Sequence, residues 1–362
     1  MPVKILRCHR LRALNSRKMK VIKRFIYLGY YIKKLNAKDY RRYLSYVKNL
    51  KNRSKFSLIL DSVRSVFVYN ISLLEYFYFR FYQLSKEERA TFAGTGALYE
   101  YQLIMNPKQY RASLEDKRIF HEVYSDFIDN DWMDLIEIRE DHEKTKAILN
   151  NTSGKIVTKK HDGQCGVGVE VIESTDMKVE TLIELLESSG NNMLESYIVQ
   201  HPDLMELSPS GLNTVRIYTQ LDHEDRVEIL GCRLRITVDS VVDNMAAGNV
   251  AAPVDTETGL VNGPAVYSDI SKDSVSKHPI TGTPIENFQI PFWEETMDMI
   301  QKAALHNKKC RSVGWDVAIS SKGPQLLEGN HDWCKLVWQL PVHKGLKHVL
   351  ERHLLEYKSI KN

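Results

Sequence analysis

The segment GWDVAISSKGPQLLEGN, residues 314–330, carries three oxygen-bearing side chains at spacings that could act together. Ser320-Ser321-Lys322-Gly323-Pro324 is turn chemistry between two apolar runs, which predicts a β-hairpin. Centred on Lys322, the hairpin sets Asp316 opposite Glu328; Asn330, two residues on, faces the same way. Like charges opposed across a ladder destabilise it. The pair is tolerable if a divalent cation sits between the carboxylates. Two carboxylates and an amide oxygen suit Mg²⁺, which keeps some waters and shares its shell with phosphates. The alternative is that one acid is solvated at a sheet edge.

A second candidate is KKHDGQCGVGV, where Gly163, Gly166 and Gly168 cluster between two predicted strands beside Lys159 and Lys160. Glycines let backbone N–H groups turn toward an anion, and the lysines add charge. No Walker or dinucleotide-binding pattern is present, so the loop reads either as a flexible cover over phosphates or as a plain β-turn. Third, Arg216, Arg233 and Arg235 fall on predicted strands, with Arg233 and Arg235 on one face. Strand arginines form structural ion pairs or bind phosphate and carboxylate in a two-pronged way.

The elements that must position these residues follow from periodicity and caps. Residues 1–110 read as mostly helical, with Asn36 capping a helix to about Leu50, helical spacing from Ser57 to Leu84, and a Ser85/Glu88 capping box. GTGALYEY, residues 94–101, reads as a helix-ending loop. Ser113 and Asp116 form a capping pair that puts Lys117 in the first turn of a helix. Next come a strand at LIEIRE, a helix over 143–149, the strand–loop–strand around Gly166, a helix at VETLIELLES and a strand at MLESYIVQH. From Leu212 strands dominate, interrupted by a helix around Trp293–Asn307, and the chain closes on a helix. Helices and strands mix without strict alternation, which predicts an α+β fold.

The 362 residues, 43% hydrophobic, suffice for a sizeable core and two or three subdomains. No apolar run of about 18 residues exists, and the basic, interrupted N-terminus does not fit a secretory signal peptide. Five scattered cysteines without a CxxC pair argue against a disulfide framework and a zinc site. The expected location is cytoplasmic. The net charge of +4 hides an asymmetry: residues 1–55 hold 18 Lys or Arg and one acid, Asp39. The other 307 residues carry 32 bases and 45 acids. Bases in the N-terminal segment interleave with Tyr, Phe, Leu and Ile. The segment therefore reads as a helical bundle with a solvated basic face, as a surface for an anionic membrane at its cytoplasmic side, or as a nucleic-acid arm. The acidic remainder argues against a broad nucleic-acid surface.

Taken in order, Lys117, the Lys159–Gly168 loop, Glu195, the strand arginines and the D…E-x-N set of Asp316, Glu328 and Asn330 resemble an ATP-grasp enzyme. VQHPDLMELSPSGLNTVRIYT, VDNMAAGNVAAPVDTETG, KHPITG and GWDVAISSKGPQLLEGN resemble, more closely, the sugar-transfer-associated ATP-grasp family, over roughly residues 110–345. The resemblance implies two α+β subdomains gripping ATP, at 111–200 and 201–362, behind a basic helical region at 1–110. It implies that Lys117 and Lys159 contact ATP phosphates and that Gly163, Gly166 and Gly168 belong to a mobile phosphate-covering loop. Glu195, Ser196 and Ile198 fall in the hinge whose backbone meets adenine, and Asp203 would meet the ribose. Asp316, Glu328 and Asn330 match the Mg²⁺ ligands. Arg216 and Arg233 match positions near the γ-phosphate and the acceptor carboxylate, and Asn213, Asp243, Asn244 and His278 would shape the acceptor pocket. Lys160 stands where the family commonly has proline, and Gly248-Asn249 where it has two glycines.

The activity so implied is an ATP- and Mg²⁺-dependent carboxylate–amine ligase. It would work through an acylphosphate on a sugar or sugar acid of capsule, O-antigen or exopolysaccharide, with a small-molecule or lipid-linked sugar and an amine or amino acid as partners. The alternatives are kinase-type transfer to a hydroxyl and a non-catalytic nucleotide-binding scaffold. Cys165 in the glycine loop reads as incidental; His161 could touch phosphate, and Trp315 and Trp333 read as core or as a sugar-stacking wall.

Overall fold

The computed structural model describes residues 19, 21–163, 166 and 168–361, so Cys165 lies outside the described residues. The chain forms two compact units. The first comprises residues up to Tyr101 with 269–272 and 343–352; the second comprises the rest from Gln102.

The first unit is helical. Helix α1 covers residues 21–33, α2 is Ala37–Lys51 and α3 is Lys55–Tyr69. The Asn36 side chain accepts from the Lys38 and Asp39 N–H groups, as its position before the apolar run predicts. The Ser85/Glu88 capping box is also present. The helical pattern from Ser57 does not run on to Leu84: α3 ends at Asn70, which sits in the left-handed conformation (φ 60°). Beyond it, Tyr76, Phe77, Phe81 and Phe92 are buried and pack edge-on, so the apolar spacing there reports a core and not a continuous helix. GTGALYEY is also a correction: Thr95–Met105 is a helix, and the buried Glu75 carboxylate accepts from the Thr95 N–H in place of a cap at Gly94.

The second unit holds two antiparallel sheets. The four-stranded sheet has the order β1-β4-β2-β3. Its strands are β1 (Trp132–Asp134), β2 (Lys155–Lys159), β3 (Glu170–Glu173) and β4 (Met193–Ser196). LIEIRE was expected as a strand and is a helix, Leu135–Glu140. Asp134 and Glu137 form a reciprocal capping box that starts a helix where alternation alone suggests a strand. Asp116 alone caps the helix Lys117–Val123, because Ser113 lies in a separate turn, Ala112–Glu115.

The six-stranded sheet runs β10-β9-β5-β6-β7-β8. Its strands are β5 (Thr214–Leu221), β6 (Val227–Ile236), β7 (Val250–Val254), β8 (Val266–Tyr267), β9 (Ser312–Ser320) and β10 (Gly323–Asn330). One face presents Val215, Ile217, Leu234 and Val317 to the main core, together with Ile300 and Ala303 of the helix Trp293–His306. Each of the larger side chains contributes roughly 1.5–3 kcal/mol by burial. Since side chains alternate, the other face carries the polar residues of the same strands.

The β9–β10 hairpin shows how the site acids are aimed. Near the turn Gly323 pairs with Ser320 and Leu326 with Val317, one residue away from the register centred on Lys322. A bulge at Leu327 then shifts the register, and Glu328 pairs with Asp316 and Asn330 with Gly314. Without that extra residue Leu327 would oppose Asp316 and Glu328 would turn into the apolar face. The expected Asp316–Glu328 pair exists, and the bulge creates it.

Candidate active site

Register places four charged side chains in one row across four strands. Arg233 pairs with Arg216, Arg216 with Asp316, and Asp316 with Glu328. The row explains how opposed carboxylates are tolerated. Both Asp316 oxygens are engaged by the Arg216 fork, with Nη2 donating at 2.7 Å to Oδ2 and Nε to Oδ1. Arg235 Nη1 lies 3.0 Å from Oδ2. Burial opposes ionisation of Asp316, yet the two guanidiniums overcome it and hold its carboxyl well below the usual range. The Glu328 side chain is half-buried and accepts from Asn330 Nδ2 at 3.0 Å. The cluster continues through Arg235 to Asp243 at 2.5 Å, and Asp243 also accepts from Thr214. Burial pushes the Asp243 carboxyl up, against the pull of Arg235.

These oxygens fit a hard divalent cation. Glu328 and Asn330 lie at the open side of the sheet, and Asp316, which receives three arginine N–H groups, has acceptor capacity for one more partner. Among the described residues no group of three His, Cys, Asp or Glu side chains gathers into a metal site, in keeping with a set that is two-thirds carboxylate and one-third amide.

A second cluster stands on the four-stranded sheet. Val157 pairs with Glu195, so Lys159 and Glu195 share the face opposite Ile156 and Leu194, which are core. Lys159 Nζ lies 2.5 Å from Glu195 Oε1, and His121 Nε2 is 2.8 Å from the same oxygen. Burial would raise the Glu195 carboxyl, but Lys159 and His121 bring it down to about 2. Lys160 points outward and is exposed, so the pair of lysines divides by strand alternation. Lys117 donates to the Gly163 carbonyl. Burial lowers its pKa, with Glu328 opposing and Lys159 adding to the shift, so Lys117 senses both clusters. Gly166 and Gly168 have φ of +72° and +77°, which only glycine adopts without strain. A Cβ on Gly166 would also meet Val242 at 3.3 Å.

His121 was not singled out in the sequence. Its signal is helical spacing: it lies four residues after Lys117, on the same face of a capped helix. Arg235, noted there only as a facemate, and not Arg233, is the second arginine on Asp316. The Arg233 guanidinium is buried and donates to the carbonyls of Trp338 (3.1 Å from Nε) and Cys232 (2.6 Å). Burial pushes its pKa down, and it meets neither Asp316 nor Glu328. Ladder pairing of Ser196 with Ile156 ends β4, and Ile198 lies half-buried just beyond. Asp203 is exposed and pairs with His201 at 3.6 Å. Trp315 and Trp333 are fully buried, which makes both core residues and not a stacking wall. His161 Nδ1 is 2.6 Å from Asn192 Nδ2.

Three residues expected to shape an acceptor pocket make hydrogen bonds within loops. Asn213 is buried and saturated: Nδ2 donates to Gln200 Oε1 (2.9 Å) and the Leu204 and Ser208 carbonyls, and Oδ1 accepts from the Thr237 N–H (2.9 Å). His278 Nε2 meets the Thr237 carbonyl at 2.8 Å, and Nδ1 accepts from the Thr281 N–H. Asn244 caps the turn Met245–Ala247. Asn249, where the sequence departs from a double glycine, accepts from Val238 and donates to the Val242 and Asn244 carbonyls, which ties that loop down. Asn213→Ala is predicted to lower stability by several kcal/mol through unpaired buried groups, while the folded fraction keeps its ATP affinity. Urea midpoints and calorimetric titration measure the two, and a loss of affinity at unchanged stability would restore Asn213 to the site.

The sequence matches the family described as sugar-transfer associated ATP-grasp over residues 98–353, and the chain belongs to that family. The fold is therefore ATP-grasp, of the α+β class. No curated protein matches the sequence. Among solved structures, D-alanine–D-alanine ligase from Bacillus anthracis is similar at 15% identity, over 74% of this chain and 77% of that one, with a TM-score of 0.41. The ATP-grasp ligase PsnB with its minimal precursor, Mg and ADP is similar at 15%, over 77% and 72%, at 0.39. The biotin carboxylase domain of Hydrogenobacter thermophilus 2-oxoglutarate carboxylase, bound to MgADP, ADP and bicarbonate, is similar at 16%, over 64% and 45%, at 0.37. The chain thus spans under half of that last protein. Likeness at these levels carries no argument, and the family match alone gives the fold.

Proposed function

We propose that the protein is an ATP-dependent carboxylate–amine ligase that acts on a sugar acid or another sugar-linked carboxylate. The observation that carries this reading is the charged row Arg216–Asp316–Glu328, with Lys117 poised between it and the Lys159–Glu195 pair. Such an array suits phosphoryl transfer, which needs positioning and electrostatic stabilisation and no protein nucleophile. Asp316, Glu328 and Asn330 would hold Mg²⁺, which neutralises triphosphate charge when bound. Lys117 and Lys159 bind phosphate oxygens, and the Gly163–Gly168 loop covers them. Arg235 Nε is buried without a hydrogen-bond partner among the described residues, a donor suited to an acceptor carboxylate.

In the reaction an acceptor carboxylate oxygen attacks the γ-phosphorus and ADP leaves. The amine then attacks the acyl carbon, inorganic phosphate leaves, and the nitrogen loses a proton as the amide forms. The family's association with sugar transfer supports a role in surface-polysaccharide assembly. The test is a screen of ¹⁸O-carboxylate uronic acids against amino acids. Transfer of ¹⁸O into inorganic phosphate together with ADP supports the ligase. ADP release with a phosphorylated hydroxyl and no free phosphate would overturn it.

A further inference from the structure

Helix α1 is apolar on both sides. Its inner stripe carries Tyr31, which is buried with Val66 and Leu73, and Tyr27 and Leu28 pack beside it. Its outer stripe repeats every four residues as Ile22, Ile26 and Tyr30, exposed to 53%, 64% and 54%. Helix α3 has a similar outer stripe, with Phe56 at 71%, Leu60 at 53% and Ile59 also exposed. The Phe25 and Phe67 rings, edge-on at 4.9 Å, join the two helices on this side. Single exposed apolar residues need no explanation, but two adjoining stripes of large ones do.

We propose that this surface of α1 and α3 docks in the plane of an anionic lipid bilayer. Charge selects the partner. Residues 19–35 contain no acid. Lys23, Lys33 and Lys34 are exposed and form no ion pair among the described residues. A second copy of the chain would bring one segment of 18 bases and one acid against another, which repels. A nucleic acid calls for polar donors where this patch offers Ile22, Ile26 and Leu60. An anionic bilayer satisfies both features: headgroups meet the lysines and the acyl boundary takes the apolar stripe. Among the described residues no helix is long and apolar enough to cross a membrane, so the helices lie in the interface.

The inference stands apart from the ligase reading, since lipid binding is measured without ATP. The full chain is floated with vesicles of phosphatidylcholine alone and of phosphatidylcholine with phosphatidylglycerol, at low and high salt. Binding is expected on the anionic vesicles only, weakened by salt. Two triple variants are compared, Ile22→Ser/Ile26→Ser/Phe56→Ser and Lys23→Glu/Lys33→Glu/Lys34→Glu. All six positions are exposed, and circular dichroism checks the fold of each variant. The charge variant is expected to lose roughly a hundred-fold in partitioning, and the apolar variant a comparable factor. Absence of flotation with anionic vesicles would overturn the proposal. So would binding that both variants retain, or a solution dimer that the serine variant dissociates.

Discussion

Glu328→Gln is expected to cut ATP turnover by roughly 10²–10³-fold, the range for losing one preorganised electrostatic contact in the transition state, here a carboxylate that would hold the cation on the phosphates, with almost no change in stability. Asp316→Ala is expected to lose both. The two acids face each other in one ladder, yet their surroundings differ. Glu328 is half-buried and accepts from Asn330, so an amide in its place leaves no charge stranded. Asp316 is buried and neutralises Arg216 and Arg235 together. Removing it takes from Arg216 its hydrogen-bonded counter-charge and leaves Arg235 with Asp243 alone, for which about 3–5 kcal/mol is typical. For a unit of this size that amounts to a melting temperature lower by roughly 10 °C. Thermal melts and an ADP-release assay read the two effects separately. Wild-type turnover in Glu328→Gln would remove the acid from the phosphate site. An unchanged melt in Asp316→Ala would mean the arginine clamp carries no stability.

The second large effect concerns Lys159. Glu195 titrates at about 2 in the folded protein against an ordinary 4.5, mainly because Lys159 outweighs the cost of burial. A folded pKa below the unfolded one stabilises above the unfolded value, and the gain disappears as pH falls from about 5 toward 2. The shift corresponds to roughly 3 kcal/mol. Lys159→Met removes the principal counter-charge, so burial raises the Glu195 carboxyl. The variant is expected to lose most of that stability at pH 7 and to show a flattened acid limb in urea titrations at pH 3, 5 and 7. It should also bind ATP roughly 10–100-fold more weakly, the share expected of a charge-assisted phosphate contact. Lys160→Met, at the exposed neighbour, should do neither. Equal losses in the two variants would show that strand alternation does not separate their roles. An acid limb like that of the wild type would mean Lys159 does not hold Glu195 ionised.

How much of this was legible in advance varies with the reach of the forces involved. Caps are local, so Asn36, Ser85 and Asp116 could be read directly, and the Asp134/Glu137 box was equally readable but lost to the apparent alternation of LIEIRE. Alternation along the hairpin put Asp316, Glu328 and Asn330 on one face, and along β6 it put Arg233 with Arg235; the roles of Arg216 and Lys159 came from the resemblance, and their faces from the ladders. The order of the charged motifs resembled ATP-grasp, and the stretches around VQHPDLM, VDNMAAGN and KHPITG resembled the sugar-transfer-associated family.

Tertiary structure decided the rest, because it depends on partners far apart in the chain. Arg216 and Asp316 are a hundred residues apart, and only the β5–β9 ladder shows that they neutralise each other. Asn213 and His278 have the right chemistry for a binding pocket, but the hydrogen bonds they make run to loop backbone and a neighbouring side chain. The bulge at Leu327 has no signature in a run of leucines, yet it turns Glu328 from the core face to the site face. Which residue types alternate, where helices begin and which stretches resemble the family all follow from neighbours along the chain. Which charges meet, and which acid stays accessible, came only from ladder register and burial, since those energies exist only once distant strands are side by side.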